Sequence, residues 1–143
     1  HTLANYLDMG AGTIAFPGLG IDLAAIPRVT ISACGTAYYA GLVGKYWIER
    51  YARVPVEIDI ASEFRYREAP LVDGGLAVFV SQSGETADTL ATLRYCKSGG
   101  QRIVSIVNVR TSSIARESHA VLPTLAGPEI GVASTKAFSC QLS

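Results

Sequence analysis

The sequence predicts an α/β fold, a three-layer αβα sandwich around a mainly parallel central sheet. Two observations carry this prediction. From Arg28 onward, short apolar runs rich in β-branched residues alternate with longer amphipathic stretches. In addition, the 143 residues, 49% apolar and 17% charged, match one hydrophobic core. Strands that alternate with helices pair in parallel and carry helices on both faces.

Taken in order, His1 to Met9 places Leu3, Tyr6 and Leu7 at helical spacing, and a short uncapped helix is expected there. Ala11 to Ile26 is apolar but broken by Pro17, three glycines and Asp22, so it reads as an irregular, partly buried lead-in. Arg28 to Ala33 is expected as a buried strand, and Cys34, Gly35 and Thr36 form a turn into a helix from about Ala37 to Ala52. Pro55 to Ile60 is a second strand, followed by one or two helical turns over Ser62 to Arg67, stopped by Pro70 and Asp73-Gly74-Gly75. Leu76 to Val80 reads as a fully buried strand running into a serine-rich turn. The helix after it, Thr86 to about Lys97, ends at Ser98-Gly99-Gly100. Arg102 to Asn108, Ser112 to Glu117 and Ala120 to Pro123 give strand, short helix and short strand, and a last helix is expected from near Ser134.

Composition narrows the function. Twelve basic and twelve acidic side chains cancel, leaving no global charge to attract nucleic acid. Cys34, Cys96 and Cys140 form no CxxC pair, and the histidines are His1 and His119, which disfavours a zinc site. An odd cysteine count without a signal peptide points to a reducing, cytoplasmic setting. No apolar run reaches the roughly 18 residues of a membrane span. Neither G-x-x-x-x-G-K-[ST] nor a helix-opening G-x-G-x-x-G occurs, which argues against nucleotide triphosphatase and dinucleotide chemistry.

The chemistry-bearing feature is the turn Ser81-Gln82-Ser83-Gly84-Glu85-Thr86. Ser81, Ser83 and Thr86 supply three hydroxyls, Gly84 lets a ligand approach the backbone, and the following helix adds unpaired N–H groups at its positive end. These suit one phosphate. Taken alone, the six residues fit equally well a turn whose Ser83 and Thr86 only cap the helix. Glu85 would repel a phosphate and must therefore point away or hold another donor. Ligands in open parallel sheets gather beyond the strand carboxyl ends, where the Cys34 turn also lies, so Gly35 and Thr36 are expected to face the same ligand. A Cys34 nucleophile with His119 as base is outweighed by an ordinary buried thiol. Glu63 to Arg67 reads either as a solvated helix or as a subunit contact, and Lys136 as a surface lysine near a helix start.

Four segments carry a resemblance: ACGTAYYAG from Ala33, ASEFRYR from Ala61, SQSGETADTL from Ser81 and EIGVASTKAF from Glu129. Together, and with HTLANYLD at the start, the sequence resembles the glucosamine-6-phosphate synthase family, the isomerizing glutamine:fructose-6-phosphate aminotransferases. The resemblance implies a flavodoxin-like sugar isomerase (SIS) domain over residues 27–143, the first of two and cut short at its C-terminal end, with residues 1–26 as a connecting segment. It implies that Ser81, Gln82, Ser83 and Thr86 hold the phosphate of fructose 6-phosphate or glucosamine 6-phosphate, while Thr36, Val132 and Ser134 line the rest of the sugar site. Ala37 departs from the serine common after C-G-T, so a phosphate hydrogen bond there is replaced or lost.

In the family, a cysteine-dependent glutaminase domain releases ammonia, and a glutamate, a histidine and a lysine of the second SIS domain and tail carry the imine and proton-transfer chemistry. The resemblance therefore implies no catalytic residue, metal ligand or cofactor in this chain. Its implied partners are the sugar phosphate, the glutaminase and second SIS domains of the same chain, and a second copy in a homodimer, with no nucleic acid and no membrane. The competing reading is a non-catalytic SIS-type sugar-phosphate sensor of a regulator, although no DNA-binding segment stands between His1 and Pro27. A stand-alone isomerase would need Glu85 or Glu129 as base.

Overall fold

The computed structural model describes residues 2–127 and 135–143. Short strands β1 (Leu7–Asp8) and β2 (Thr13–Ile14) form an antiparallel hairpin. The body follows as β3 (Val29–Ala33), α1 (Thr36–Trp47), β4 (Val56–Ile60), α2 (Ala61–Arg67), β5 (Leu76–Ser81), α3 (Ala87–Ser98), β6 (Arg102–Val107), α4 (Ser113–Glu117), β7 (Ala120–Pro123) and α5 (Thr135–Leu142). Among the described residues, five strands make a wholly parallel sheet in the order β4-β3-β5-β6-β7. Numbered along the sheet alone this is the 2-1-3-4-5 order of flavodoxin-like folds, with the switch in strand direction of growth between β3 and β5.

Side-chain alternation divides the core into two. Val29, Ile31, Ala33, Leu76, Val80 and Val104 face α1, whereas Ala77, Phe79, Ile103 and Val107 face the side of α2, α3 and α4, where they meet Phe64, Leu93 and Ile114. α1 lies close to the sheet because its inner face is small: a Cβ on Gly41 would sit 2.9 Å from Ile31 Cγ2 and 3.0 Å from Ile58 Cδ1. α3 buries Thr89, Thr92, Leu93 and Cys96, an i, i+3, i+4, i+7 stripe. Thr92 Oγ1 donates to the Asp88 carbonyl at 2.7 Å, so this buried hydroxyl is satisfied within its own helix. Burial pushes the Cys96 thiol up to about 12, which leaves it a small core side chain.

The expected N-terminal helix is not formed. Leu3–Asn5 is a single 3-10 turn, and the chain then enters the hairpin. The physical reason is tertiary: a helix this short does not offset its nucleation cost, whereas Tyr6 is fixed from outside. Its hydroxyl donates to the Pro123 carbonyl at 3.0 Å, its carbonyl accepts from Ala15 N at 2.8 Å, and its ring meets Phe16. Leu125 N also donates to Thr2 Oγ1 at 3.0 Å, tying the segment to the end of β7. The second correction is smaller. α1 ends at Trp47, and residues Ile48–Ala52 widen into π-type turns closed by Arg53 in the left-handed region at φ 59°.

Candidate functional site

The register places Ala33 beside Val80, so β3 and β5 end within one residue of each other and the chain leaves both strands at the switch point. One wall of the crevice is Cys34-Gly35-Thr36. Gly35 takes φ 58°, ψ −135°, a conformation that favours glycine, and accepts from Tyr38 N at 3.1 Å as α1 begins. Thr36 is exposed at the first turn of α1. Behind it, Ala37 is buried in the apolar cluster under α1, where it contributes a methyl group to packing.

The other wall is the turn after β5. Ser81 is 4% exposed, and its Oγ accepts from Gly84 N at 3.0 Å and lies 3.3 Å from Thr86 Oγ1. Ser83 Oγ accepts from Glu85 N at 3.2 Å. Thr86 occupies the N-cap position of α3 without capping it through its side chain, so its hydroxyl stays in the turn with Ser81. This bears on the capping alternative: of the two residues put forward as caps, neither Ser83 nor Thr86 closes the first turn of α3. Gln82 is half-buried, and its Oε1 is buried with no hydrogen-bond partner among the described residues. A buried acceptor without a donor is costly.

The structure brings Thr36 and the turn residues Ser81, Gln82, Ser83 and Thr86 to the carboxyl ends of two adjacent parallel strands. Val132 and Ser134, together with Glu129, lie outside the described residues. Lys136 is exposed near the start of α5. His119 does not serve Cys34. Its Nδ1 accepts from Ile103 N at 2.9 Å near the opposite ends of the strands, offset by roughly 13 Å along the strand direction alone at about 3.3 Å per strand residue. Cys34 Sγ instead lies 3.9 Å from the Thr89 hydroxyl.

The acidic residues next to the turn are both occupied. Asp88 pairs with Arg65 of α2 at 3.0 Å. Glu85 turns away from the hydroxyls and accepts from Ser113 N at 2.7 Å. That backbone donor, then the Ser113 hydroxyl, hold the Glu85 carboxyl below its ordinary value, with Arg116 adding to the effect. The contribution of Gly84 went partly unseen in the sequence. At φ 68° it makes the turn, but a Cβ there would also lie 2.0 Å from Ser112 Oγ. No local pattern announces a neighbour 28 positions away.

Of the 3 cysteines, none is in a disulfide, and among the described residues no group of three His, Cys, Asp or Glu side chains could hold a metal ion. No described helix is long and apolar enough to cross a membrane.

The chain is 68% identical over 143 residues to the isomerizing glutamine–fructose-6-phosphate aminotransferase of Brucella abortus, covering all of this chain and 24% of that relative. The corresponding enzyme of Mesorhizobium japonicum is 67% identical over the same share. The chain thus spans about a quarter of the curated relatives it matches. Among solved structures, the C-terminal domain of glucosamine-fructose-6-phosphate aminotransferase from Francisella tularensis superposes with a TM-score of 0.86 at 49% identity, covering 98% of this chain and 39% of that one. Glucosamine-6-phosphate deaminase from Thermotoga maritima superposes with a TM-score of 0.74 at 29% identity, over 81% of this chain and 36% of that one. The SIS domain family matches residues 22–143, and with the parallel sheet and its strand-end crevice already described, this chain belongs to that family.

Proposed function

We propose that this chain is the sugar-phosphate-binding part of the isomerase half of an isomerizing glutamine–fructose-6-phosphate aminotransferase, taking fructose 6-phosphate and its product glucosamine 6-phosphate. The observation that carries the reading is the Ser81 to Thr86 turn at the switch point. Three hydroxyls and an α3 N-terminus without a side-chain cap converge there, and the two nearby carboxylates are engaged elsewhere. The phosphate fits the hydroxyls and the positive helix end, and a sugar hydroxyl can donate to the unpartnered Gln82 Oε1. Thr36 faces the sugar from the other wall, with Val132 and Ser134 as further lining residues. The names of the relatives support the substrate class.

In this reading residues 1–26 connect to a glutaminase domain and residues 27–143 are the first of two SIS domains in a cytoplasmic homodimer. The chain binds and orients substrate, while ammonia release and proton transfer belong to the other domains. The wall it provides can hold the phosphate without any group that must change protonation near neutral pH.

Calorimetric titration of the chain with fructose 6-phosphate, glucosamine 6-phosphate and unphosphorylated fructose tests this. Both phosphates should bind and fructose should not. Ser83→Ala with Thr86→Ala should weaken binding about 30-fold, two hydrogen bonds at about 1 kcal/mol each. Absence of binding by either phosphate, or equal binding by the double variant, overturns the assignment.

A further inference from the structure

α4 is a short helix whose first four N–H groups are shared between its own cap and a distant turn: Arg116 N donates to the Ser112 carbonyl at 3.0 Å. Ser112 Oγ accepts from Ala115 N at 3.4 Å, the local cap. The two donors before it cross to the turn after β5: Ile114 N donates to the Gly84 carbonyl at 3.0 Å, and Ser113 N donates to Glu85 Oε1 at 2.7 Å. The fit is close, since Gly84 has no room for a Cβ against Ser112, itself buried. α4 is in turn fixed in the core through the fully buried Ile114. The turn is thus held on both sides, by Ser81 Oγ on Gly84 N within and by α4 without.

We propose that Glu85 is a positioning residue for the phosphate turn: by accepting from Ser113 N it pins the turn to α4, which keeps Ser83 and Thr86 aimed at the ligand and its own charge away from the phosphate. Glu85 does not touch the ligand in this account, which rests on the sugar-phosphate reading above. A glutamine retains a carbonyl oxygen for Ser113 N, whereas an alanine retains nothing. The acidic group also suits its place, because a carboxylate at a helix start is favoured by the helix dipole.

The test compares Glu85→Ala and Glu85→Gln with the unaltered chain in three measurements: affinity for fructose 6-phosphate, thermal midpoint without ligand, and amide hydrogen exchange at Ser113. Glu85→Ala should weaken binding on the order of five- to tenfold, because the ligand must then order the turn itself. It should also speed exchange at Ser113 while leaving the midpoint within about 2 °C. Glu85→Gln should restore both binding and exchange protection. Unchanged affinity in Glu85→Ala overturns the role, as does a loss of affinity that glutamine fails to rescue or that follows a lowered midpoint. If the unaltered chain binds no sugar phosphate, the substrate reading fails and this role with it. If the chain binds and Glu85→Ala binds equally, the role alone fails.

Discussion

The two turns that form the crevice start alike and finish differently. Both follow a buried strand, both contain a glycine at positive φ, 58° at Gly35 and 68° at Gly84, and both open a helix. Around Gly35 there is open space: a Cβ would meet nothing within 4 Å, and Thr36 stands exposed. Around Gly84 the turn is braced from within by Ser81 and from outside by α4. A ligand with a charged end and a neutral end gains most when the charge meets the wall that is already ordered, since no ordering cost is then deducted from its strongest interaction. Under the proposed function, the braced wall takes the phosphate and the open one the sugar.

The largest expected break in this comparison is the glycine pair. Gly35→Ala meets only backbone strain, about 1 to 3 kcal/mol of lost stability. Gly84→Ala adds a collision with Ser112 that must displace α4 or the turn, for a total of roughly 3 to 5 kcal/mol. Chemical denaturation of the two variants checks the order. Equal losses would mean that α4 yields freely and the brace is not rigid.

A smaller effect sharpens the contrast between the two ends of the strands. His119, at the end away from the crevice, is held below its ordinary value of 6.5 by desolvation and then by Lys97 and Arg102, and its Nδ1 can accept from Ile103 N only when unprotonated. The sign follows directly: the unfolded chain takes up this proton first, so the stabilisation is complete above pH 6.5 and is lost as the pH falls from there through the folded value. The unfolding midpoint should fall between pH 7.5 and 5.5 more steeply in the unaltered chain than in His119→Gln, with sugar-phosphate affinity following the same pH course in both. A pH-dependent affinity removed by His119→Gln would place that residue in the crevice after all.

Strands β3, β5, β6 and β7 were legible in the sequence as short, largely apolar runs, β4 as the alternation Val56 to Ile60, and the parallel pairing followed from the helices between them. The place of the candidate turn was legible for the same reason: strand ends and helix starts are local events, and Ser81 to Thr86 joins the end of β5 to the start of α3. What escaped was set by distant contacts. The Tyr6 hydroxyl reaches Pro123, 117 positions on, and that bond decides between hairpin and helix. Glu85 was expected to point away from a phosphate or to hold another donor, but that donor, Ser113 N, lies 28 positions later in a segment whose own pattern says only short helix. Gly84 was read for its approach to a ligand, whereas Ser112 gives it a second reason to lack a side chain.

The central claim is that a sugar phosphate sits between the ends of β3 and β5, phosphate on the braced wall. Backbone amide chemical-shift mapping during titration with fructose 6-phosphate tests it most directly, with inorganic phosphate as the second titrant. The account predicts that inorganic phosphate shifts the amides of Ser81 to Thr89, and that fructose 6-phosphate shifts these together with Gly35 and Thr36, leaving those around His119 in place. Shifts that avoid the turn, or phosphate-induced shifts confined to the Gly35 wall, would contradict it.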